Sequence, residues 1–130
     1  MTRTVAVGTV SDRQREIYDV VLKAQLAAID AAKEGRMCSY VDGVARKIIS
    51  DAGYGKNFGH GLGHSVGIEI HESPSFSPKC NDVLKNGHVI TVEPGMYIEG
   101  FGGVRIEDLI VIQDGEAVNL TKSSKELIIV

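Results

Sequence analysis

The sequence has little that would direct it to a membrane, a nucleic acid or an oxidising compartment. Its longest apolar run falls far short of the roughly 20 residues that cross a bilayer. A net charge of −3 in 130 residues, without a Lys/Arg cluster, gives no reason to expect nucleic acid. The segment Met1–Val5 lacks the long apolar core of a signal peptide, so we expect a cytoplasmic protein.

Cysteine is also scarce. Cys38 and Cys80 lie far apart and form no Cys-x-x-Cys pair, which favours two reduced thiols of no special role. Internal repeats, low-complexity segments and linkers are absent as well. The length suits one domain, residues 1–130, and the hydrophobic fraction of 43% is that of an ordinary globular protein.

Two helices are expected in the first half of the chain. Ser11 and Gln14 form a capping-box pattern before apolar residues at helical spacing, which predicts a helix of about 22 residues that stops near Gly35. A second capping box, Ser39 with Asp42, predicts a shorter helix that ends by Gly53.

Beyond Gly53 the periodicity falls towards two, and glycine becomes frequent. The alternation and the turn residues predict strands in both the N-terminal segment and the second half: Thr2–Gly8, Val66–His71, His88–Val92, Val104–Ile112, Ala117–Leu120 and Glu126–Val130. Asp114-Gly115 is a two-residue hairpin turn. The expected class is α+β, with two helices packed on a mainly antiparallel sheet.

Imidazoles and carboxylates are concentrated in this second half. His60, His64 and His71 lie within twelve residues, and Glu93 and Glu107 follow on apolar, strand-like runs. Charged groups among Val and Ile are costly to bury unless something pairs or coordinates them. The pattern indicates a metal-dependent hydrolytic site.

Each candidate also has a purely structural interpretation. His64 in a glycine-rich loop can serve as an ordinary hydrogen-bonding residue, and Glu93 can be a charge before a Pro-Gly turn. Arg105 and Glu107 share a strand face, so a buried ion pair is an alternative to metal binding, or can coexist with it. The remaining acidic residues of this region are expected to be solvated or to support the ligands: Glu69, Glu72, Glu99 and Asp108. No helix follows Gly100–Gly103, which makes nucleotide binding a poor expectation.

One histidine with two or more glutamates is an oxygen-rich ligand set. It suits Mn²⁺, Co²⁺, Fe²⁺ or Zn²⁺ better than a metal that prefers thiolates. A carboxylate-rich site can bridge two cations, and spare histidines can donate to a developing oxyanion.

Three stretches in order, residues 59–74, 91–95 and 103–108, closely resemble the pita-bread metallopeptidases, which include Xaa-Pro aminopeptidases, Xaa-Pro dipeptidases (prolidases) and methionine aminopeptidases. The segment Val41–Arg46 also looks like that family's helix, so the resemblance covers nearly the whole chain. The runs Gly67–Glu72 and Val104–Asp108 look like the proline-directed branch.

The resemblance implies roles for individual residues. His64, Glu93 and Glu107 would bind divalent metal, two ions in the complete family site, with Glu93 also handling a proton. His71 would hydrogen-bond the scissile carbonyl, and His60 would contact the substrate. Independently of the resemblance, the strand face that Arg105 shares with Glu107 suggests that Arg105 orients a ligand carboxylate. The implied substrate is a peptide with proline at its second position.

One departure from the family is clear. Two of the family's metal ligands are aspartates upstream of the histidine, and the second usually precedes a Thr-Arg-Thr motif. This chain begins with Met1 followed by Thr2-Arg3-Thr4, and Asp12, Asp19 and Asp30 do not fit that position. We therefore expect the C-terminal part of a catalytic domain, with weak or absent metal binding and little activity of its own. We also expect it to self-associate through its N-terminal edge or the uncovered sheet face. The alternative is a peptidase-like module that binds peptides without catalysis.

Overall fold

The structure, a computed structural model, describes residues 1–130. Two helices come first, α1 (Asp12–Ala31) and α2 (Cys38–Asp51), followed by a 3-10 turn at Gly55–Asn57. Seven strands complete the fold: β1 (Gly63–Ser65), β2 (Glu72–Phe76), β3 (Val89–Val92), β4 (Gly95–Ile98), β5 (Gly102–Arg105), β6 (Asp108–Gln113) and β7 (Glu116–Asn119). The predicted α+β class, with two helices on an antiparallel sheet, is confirmed.

The strands form two antiparallel sheets. Five strands follow the order β2-β1-β3-β6-β7, and β4 pairs with β5 as a separate hairpin. The chain passes between the sheets twice, at Glu93-Pro94 and at Ile106-Glu107. The two passages lie side by side, because Val92 pairs with Asp108 at their ends in the large sheet and Gly95 pairs with Arg105 at their ends in the hairpin. The fold thus places Glu93 and Glu107 in two adjacent junctions.

Helix α1 supplies much of the core. Its capping box is confirmed, since the Ser11 hydroxyl accepts from the Gln14 amide and the Gln14 side chain accepts from the Ser11 amide. Val21, Ala24 and Ala28 are fully buried at helical spacing, so one face of α1 lies against α2 and the sheets. Neither helix has the length and hydrophobicity that a bilayer span requires.

The start of α2 differs from the prediction. The helix begins at Cys38, its N-cap is Met37, and no side chain caps it, so the Ser39–Asp42 capping box is wrong. The Asp42 carboxylate instead accepts hydrogen bonds from Arg46 and from the Leu62 amide. Asp42 therefore bonds to a guanidinium one helical turn later and to a distant backbone amide, and it does not cap the helix.

The two predicted terminal strands are not formed. Thr2–Gly8 and Glu126–Val130 contain only single bridges, Thr2 with Glu107 and Ala6 with Ile129. Within these two segments, residues 6–8 bond to residues 128–130, as in the Gly8 amide donating to the Val130 carbonyl at 2.7 Å, whereas Thr2 exchanges two backbone bonds with Glu107. They lie beside the sheets and do not extend them.

Two internal strand predictions are also wrong. Val66–His71 is a bend between β1 and β2 that leaves Ile68 and Ile70 exposed, and the Glu72 carboxylate closes it by accepting from the Glu69 amide at 3.1 Å. Val104–Ile112 is not one strand, because the chain leaves β5 after Arg105 and enters β6 at Asp108. His88–Val92, Ala117–Leu120 and the Asp114-Gly115 turn are confirmed within one residue.

Candidate active site

His64 lies in the middle of β1, where the backbones of β1 and β3 approach closely. A Cβ at Gly63 would overlap the Thr91 carbonyl oxygen, so only glycine permits this approach. The His64 amide donates to the Thr91 hydroxyl at 2.9 Å, and that hydroxyl donates to Glu93 Oε1 at 2.9 Å. Thr91 therefore links the backbone of one candidate ligand to the carboxylate of the other.

The side chains of His64 and Glu93 are in contact. The Nε2 atom of His64 lies 3.2 Å from Glu93 Oε1, with side-chain exposures of 19% and 16%. The Nδ1 atom lies 3.1 Å from the Ser65 carbonyl oxygen, which can only accept, so Nδ1 carries the proton there. A ring with its proton on Nδ1 leaves Nε2 as the atom that can bind a metal ion, and Nε2 is the atom that faces Glu93.

The other two candidate histidines flank this pair. The His71 ring centroid lies 4.3 Å from that of His64, on the exposed bend before β2. His60 donates from Nδ1 to the Gly61 carbonyl at 2.7 Å, and its Nε2 accepts from the Tyr97 hydroxyl at 3.0 Å. Both rings thus lie near the pair.

Arg105 lies close to both glutamates. Hydrogen bonding to Tyr97 raises the pKa of Arg105, partial burial opposes this, and the charges of Glu93 and Glu107 raise the pKa further. Its Nε also lies 3.3 Å from the Thr2 hydroxyl. Arg105 ends β5 and Glu107 lies in the junction after it, so the two residues do not share a strand face as the sequence predicted.

Glu107 is held by the N-terminal residues. Its Oε2 accepts from the Thr2 hydroxyl at 2.5 Å and lies 3.5 Å from the Met1 ammonium. The Arg3 guanidinium donates to its backbone carbonyl at 2.7 Å. The carboxylate is 13% exposed and lies in the junction next to that of Glu93.

A cleft of about 410 Å³ joins most of these groups. It is lined by His60, His64, His71, Glu93 and Arg105 together with Phe76 and several glycines and serines, and Glu107 lies outside the lining. A more apolar cavity of about 260 Å³, between residues 4–18 and 101–104, contains none of the histidines. The polar cleft is the candidate active site.

The donor set can be compared with what a divalent cation needs. An imidazole nitrogen and a carboxylate oxygen in contact, as in His64 and Glu93, are suitable ligands for Mn²⁺, Co²⁺, Fe²⁺ or Zn²⁺. The structure arranges no three His, Cys, Asp or Glu side chains as a metal-binding group. His64 and Glu93 fit the ion by position and chemistry, and Glu107 fits by chemistry, so the three-ligand set stays a prediction.

The fold and the cleft together define the class: a pita-bread domain with an imidazole–carboxylate site of the kind that hydrolytic metalloenzymes use. Residues 1–114 match the sequence model of metallopeptidase family M24, and the chain belongs to that family. The chain is 52% identical over 128 residues to an Xaa-Pro dipeptidase of Pyrococcus furiosus, covering 98% of this chain and 37% of the relative. An Xaa-Pro dipeptidase of Lactobacillus delbrueckii is 54% identical over 126 residues, covering 97% of this chain and 34% of the relative.

Solved structures agree with the sequence matches. The crystal structure of a dipeptidase from Pyrococcus horikoshii superposes with a TM-score of 0.97 at 47% identity, covering 98% of this chain and 36% of that one. An Xaa-Pro dipeptidase from Bacillus anthracis gives a TM-score of 0.96 at 48% identity, again covering 98% and 36%. The chain therefore spans little more than a third of the length of the relatives it matches.

Sequence reasoning missed two residues that hydrogen-bond to the lining of the cleft, Thr91 and Tyr97. Thr91 could have been found, because residues two apart on a strand share a face and Glu93 is two positions away. Tyr97 carries no such signal, because its ring folds back over Gly95 to meet His60, and only the three-dimensional structure shows this.

Proposed function

We propose that this chain contributes one side of the active site of a peptidase that hydrolyses the bond preceding proline. The observation that carries the proposal is the contact of His64 Nε2 with Glu93 Oε1 at 3.2 Å, in a cleft that also holds His60 and His71. The names of the Xaa-Pro dipeptidases among its relatives support the substrate class. We further propose that residues 1–130 are the C-terminal part of a catalytic domain.

His64, Glu93 and Glu107 are the proposed metal ligands, and Mn²⁺ or Co²⁺ is the proposed ion, with Zn²⁺ and Fe²⁺ as further candidates. When bound, such an ion lowers the pKa of a coordinated water and polarises the scissile carbonyl. The Glu93 carboxylate is placed to accept a proton in the cleft, because one oxygen is already fixed by Thr91. Arg105 balances the charges of the two glutamates and orients them.

The remaining histidines have proposed roles towards the peptide. His71 lies beside His64 with an exposed side chain, so it can donate to the scissile carbonyl oxygen as charge develops. His60 lies on the other side of the cleft, held by Tyr97, where it can contact the substrate next to the scissile bond.

Metal titration by calorimetry tests the ligand set. We expect the 130-residue chain to bind Mn²⁺ or Co²⁺ at one weak site at most, and His64→Ala or Glu93→Gln to abolish that binding. His88→Ala is the matched control, because His88 interacts with the turn at Lys85 and lies outside the cleft. Two tight sites, or full retention of binding in His64→Ala, would contradict the assignment.

An Xaa-Pro dipeptide assay in excess Mn²⁺ tests the activity. We expect negligible turnover by the 130-residue chain, and turnover by a longer protein that contains this chain and the missing aspartates. Peptide binding without turnover by that longer protein would favour the alternative, a non-catalytic binding module.

Self-association and a cytoplasmic location remain part of the proposal. The exposed side chains of Val5, Val7 and Val130 support the first of these.

A further inference from the structure

An ion pair on α2, with a buried aspartate and a half-buried arginine, lies directly behind the histidine segment. The Arg46 guanidinium donates from Nε to Asp42 Oδ2 at 2.8 Å and from an Nη to Asp42 Oδ1 at 2.9 Å. The Asp42 side chain is only 1% exposed. Two parallel bonds between planar groups fix their relative orientation, which a lysine could not do.

The same pair binds the backbone of alternate residues in the segment that leads to His64. Arg46 donates to the carbonyl oxygens of Phe58 at 3.0 Å and His60 at 2.8 Å. Asp42 Oδ1 accepts from the Leu62 amide at 3.0 Å. Three backbone groups of a glycine-rich segment therefore bond to one rigid unit on a helix.

Two further contacts extend this arrangement to the cleft. The Arg46 guanidinium lies 4.3 Å above the Phe58 ring, and that ring meets the His60 ring edge-on at 5.1 Å. The Leu62 carbonyl accepts from the Glu93 amide at 2.8 Å. The pair is thus connected to the side chain of His60 through the Phe58 ring, and to the backbone of Glu93 through Leu62.

We propose that Asp42 and Arg46 are positioning residues that set the place of His60, His64 and Glu93 in the cleft. Neither side chain lines the cleft, so the pair acts through the backbone of the segment from Phe58 to Leu62. The catalytic meaning of this positioning rests on the proposed function. The effect of the pair on the positions of the histidines does not rest on the proposed function, and it can be measured without turnover.

The test is NMR of the 130-residue chain, with Arg46→Lys and Asp42→Asn compared with wild type. Both variants keep the size of the side chain and remove the two-bond geometry or the charge. Lys47→Arg and Asp51→Asn are matched controls, because this neighbouring pair has the same spacing on α2 but is exposed and does not contact the segment. The readouts are the imidazole signals of the histidines and the hydrogen exchange of the Leu62 amide.

We expect both test variants to shift the imidazole signals of His60 and His64 and to speed the Leu62 amide exchange by about tenfold or more, because its bond opens more often. The His88 signal and both controls should match wild type. Folded test variants with unchanged His60 and His64 signals would overturn the proposal.

If both test variants unfold, the paired change of Asp42→Leu with Arg46→Met gives the result, because it removes the two charges together. A folded double variant with wild-type imidazole signals overturns the proposal, and shifted signals support it. Lack of Xaa-Pro turnover in the longer wild-type protein would refute the proposed function and leave this NMR result standing.

Discussion

Asp108 offers the sharpest test of the energetics of this fold. The carboxylate is fully buried at the start of β6, directly after Glu107. It interacts with four side chains: Lys125 at 2.6 Å, Asn119 at 2.6 Å, Arg3 at 2.7 Å and Gln25 at 2.9 Å. Burial alone would raise its pKa, but hydrogen bonds from these partners lower it from 3.8 to about 2.

This pKa shift predicts how stability depends on pH. The folded chain holds the proton more weakly than the unfolded chain, so the contribution of Asp108 is complete above about pH 5 and is lost as the pH falls towards 2. Because one pKa unit corresponds to about 1.4 kcal/mol, the contribution is about 2 kcal/mol. Asp108→Asn removes it and leaves Arg3 and Lys125 without their anion.

Urea unfolding of wild type and Asp108→Asn at several pH values between 6 and 2 measures the effect. We expect the difference in free energy of unfolding between the two proteins to shrink by about 2 kcal/mol on acidification, while contributions from other carboxylates cancel. Glu116→Gln, in an exposed pair with Lys33, is the control and should show no such trend. A constant difference between wild type and Asp108→Asn at all pH values would refute the reasoning.

Two further predictions concern a thiol and a glycine. Burial, with smaller contributions from Cys80 and Asp82, raises the pKa of Cys38 to about 12. Iodoacetamide at pH 8 should therefore modify the partly exposed Cys80 before Cys38. Mass spectrometry of the labelled peptides measures the order, and early labelling of Cys38 would contradict the prediction. Gly63→Ala should destabilise the fold by about 3 kcal/mol or more, because its Cβ meets backbone. Gly43→Ala is the control, because Gly43 lies in open space within α2, and it should stabilise the fold by about 0.5–1 kcal/mol. Thermal melts that show the same change in stability for both variants would exclude the close approach at Gly63.

The sequence predicted best where a short motif has only one common structure. The Ser11 capping box and the Asp114-Gly115 turn each depend on bonds within four residues, and both are confirmed. Val66–His71 has the composition of a strand, but the Glu72 carboxylate stabilises a bend there. Ser39 and Asp42 fit a capping box equally well, but the Arg46 guanidinium and the Leu62 amide compete successfully for Asp42.

The candidate site shows the same division. The motif residues His60, His64, His71 and Glu93 meet in one cleft, as their types suggested. The hydrogen bonds that hold them were predictable only in part: Thr91 lies two residues before Glu93, but Tyr97 reaches His60 from a separate sheet. The bond from Thr2 to Glu107 is equally non-local, since it spans more than a hundred residues.

The two junctions between the sheets limit how the chain can vary in length. Each junction contains two residues, Glu93-Pro94 and Ile106-Glu107, and hydrogen-bonded ladders fix the register on both sides. Successive side chains on an extended backbone point to opposite faces, so one inserted or deleted residue would turn a carboxylate away from its neighbour or shift a whole ladder. Substitutions can be accommodated around these junctions, but insertions and deletions can be tolerated only elsewhere, in surface turns such as Asp114-Gly115.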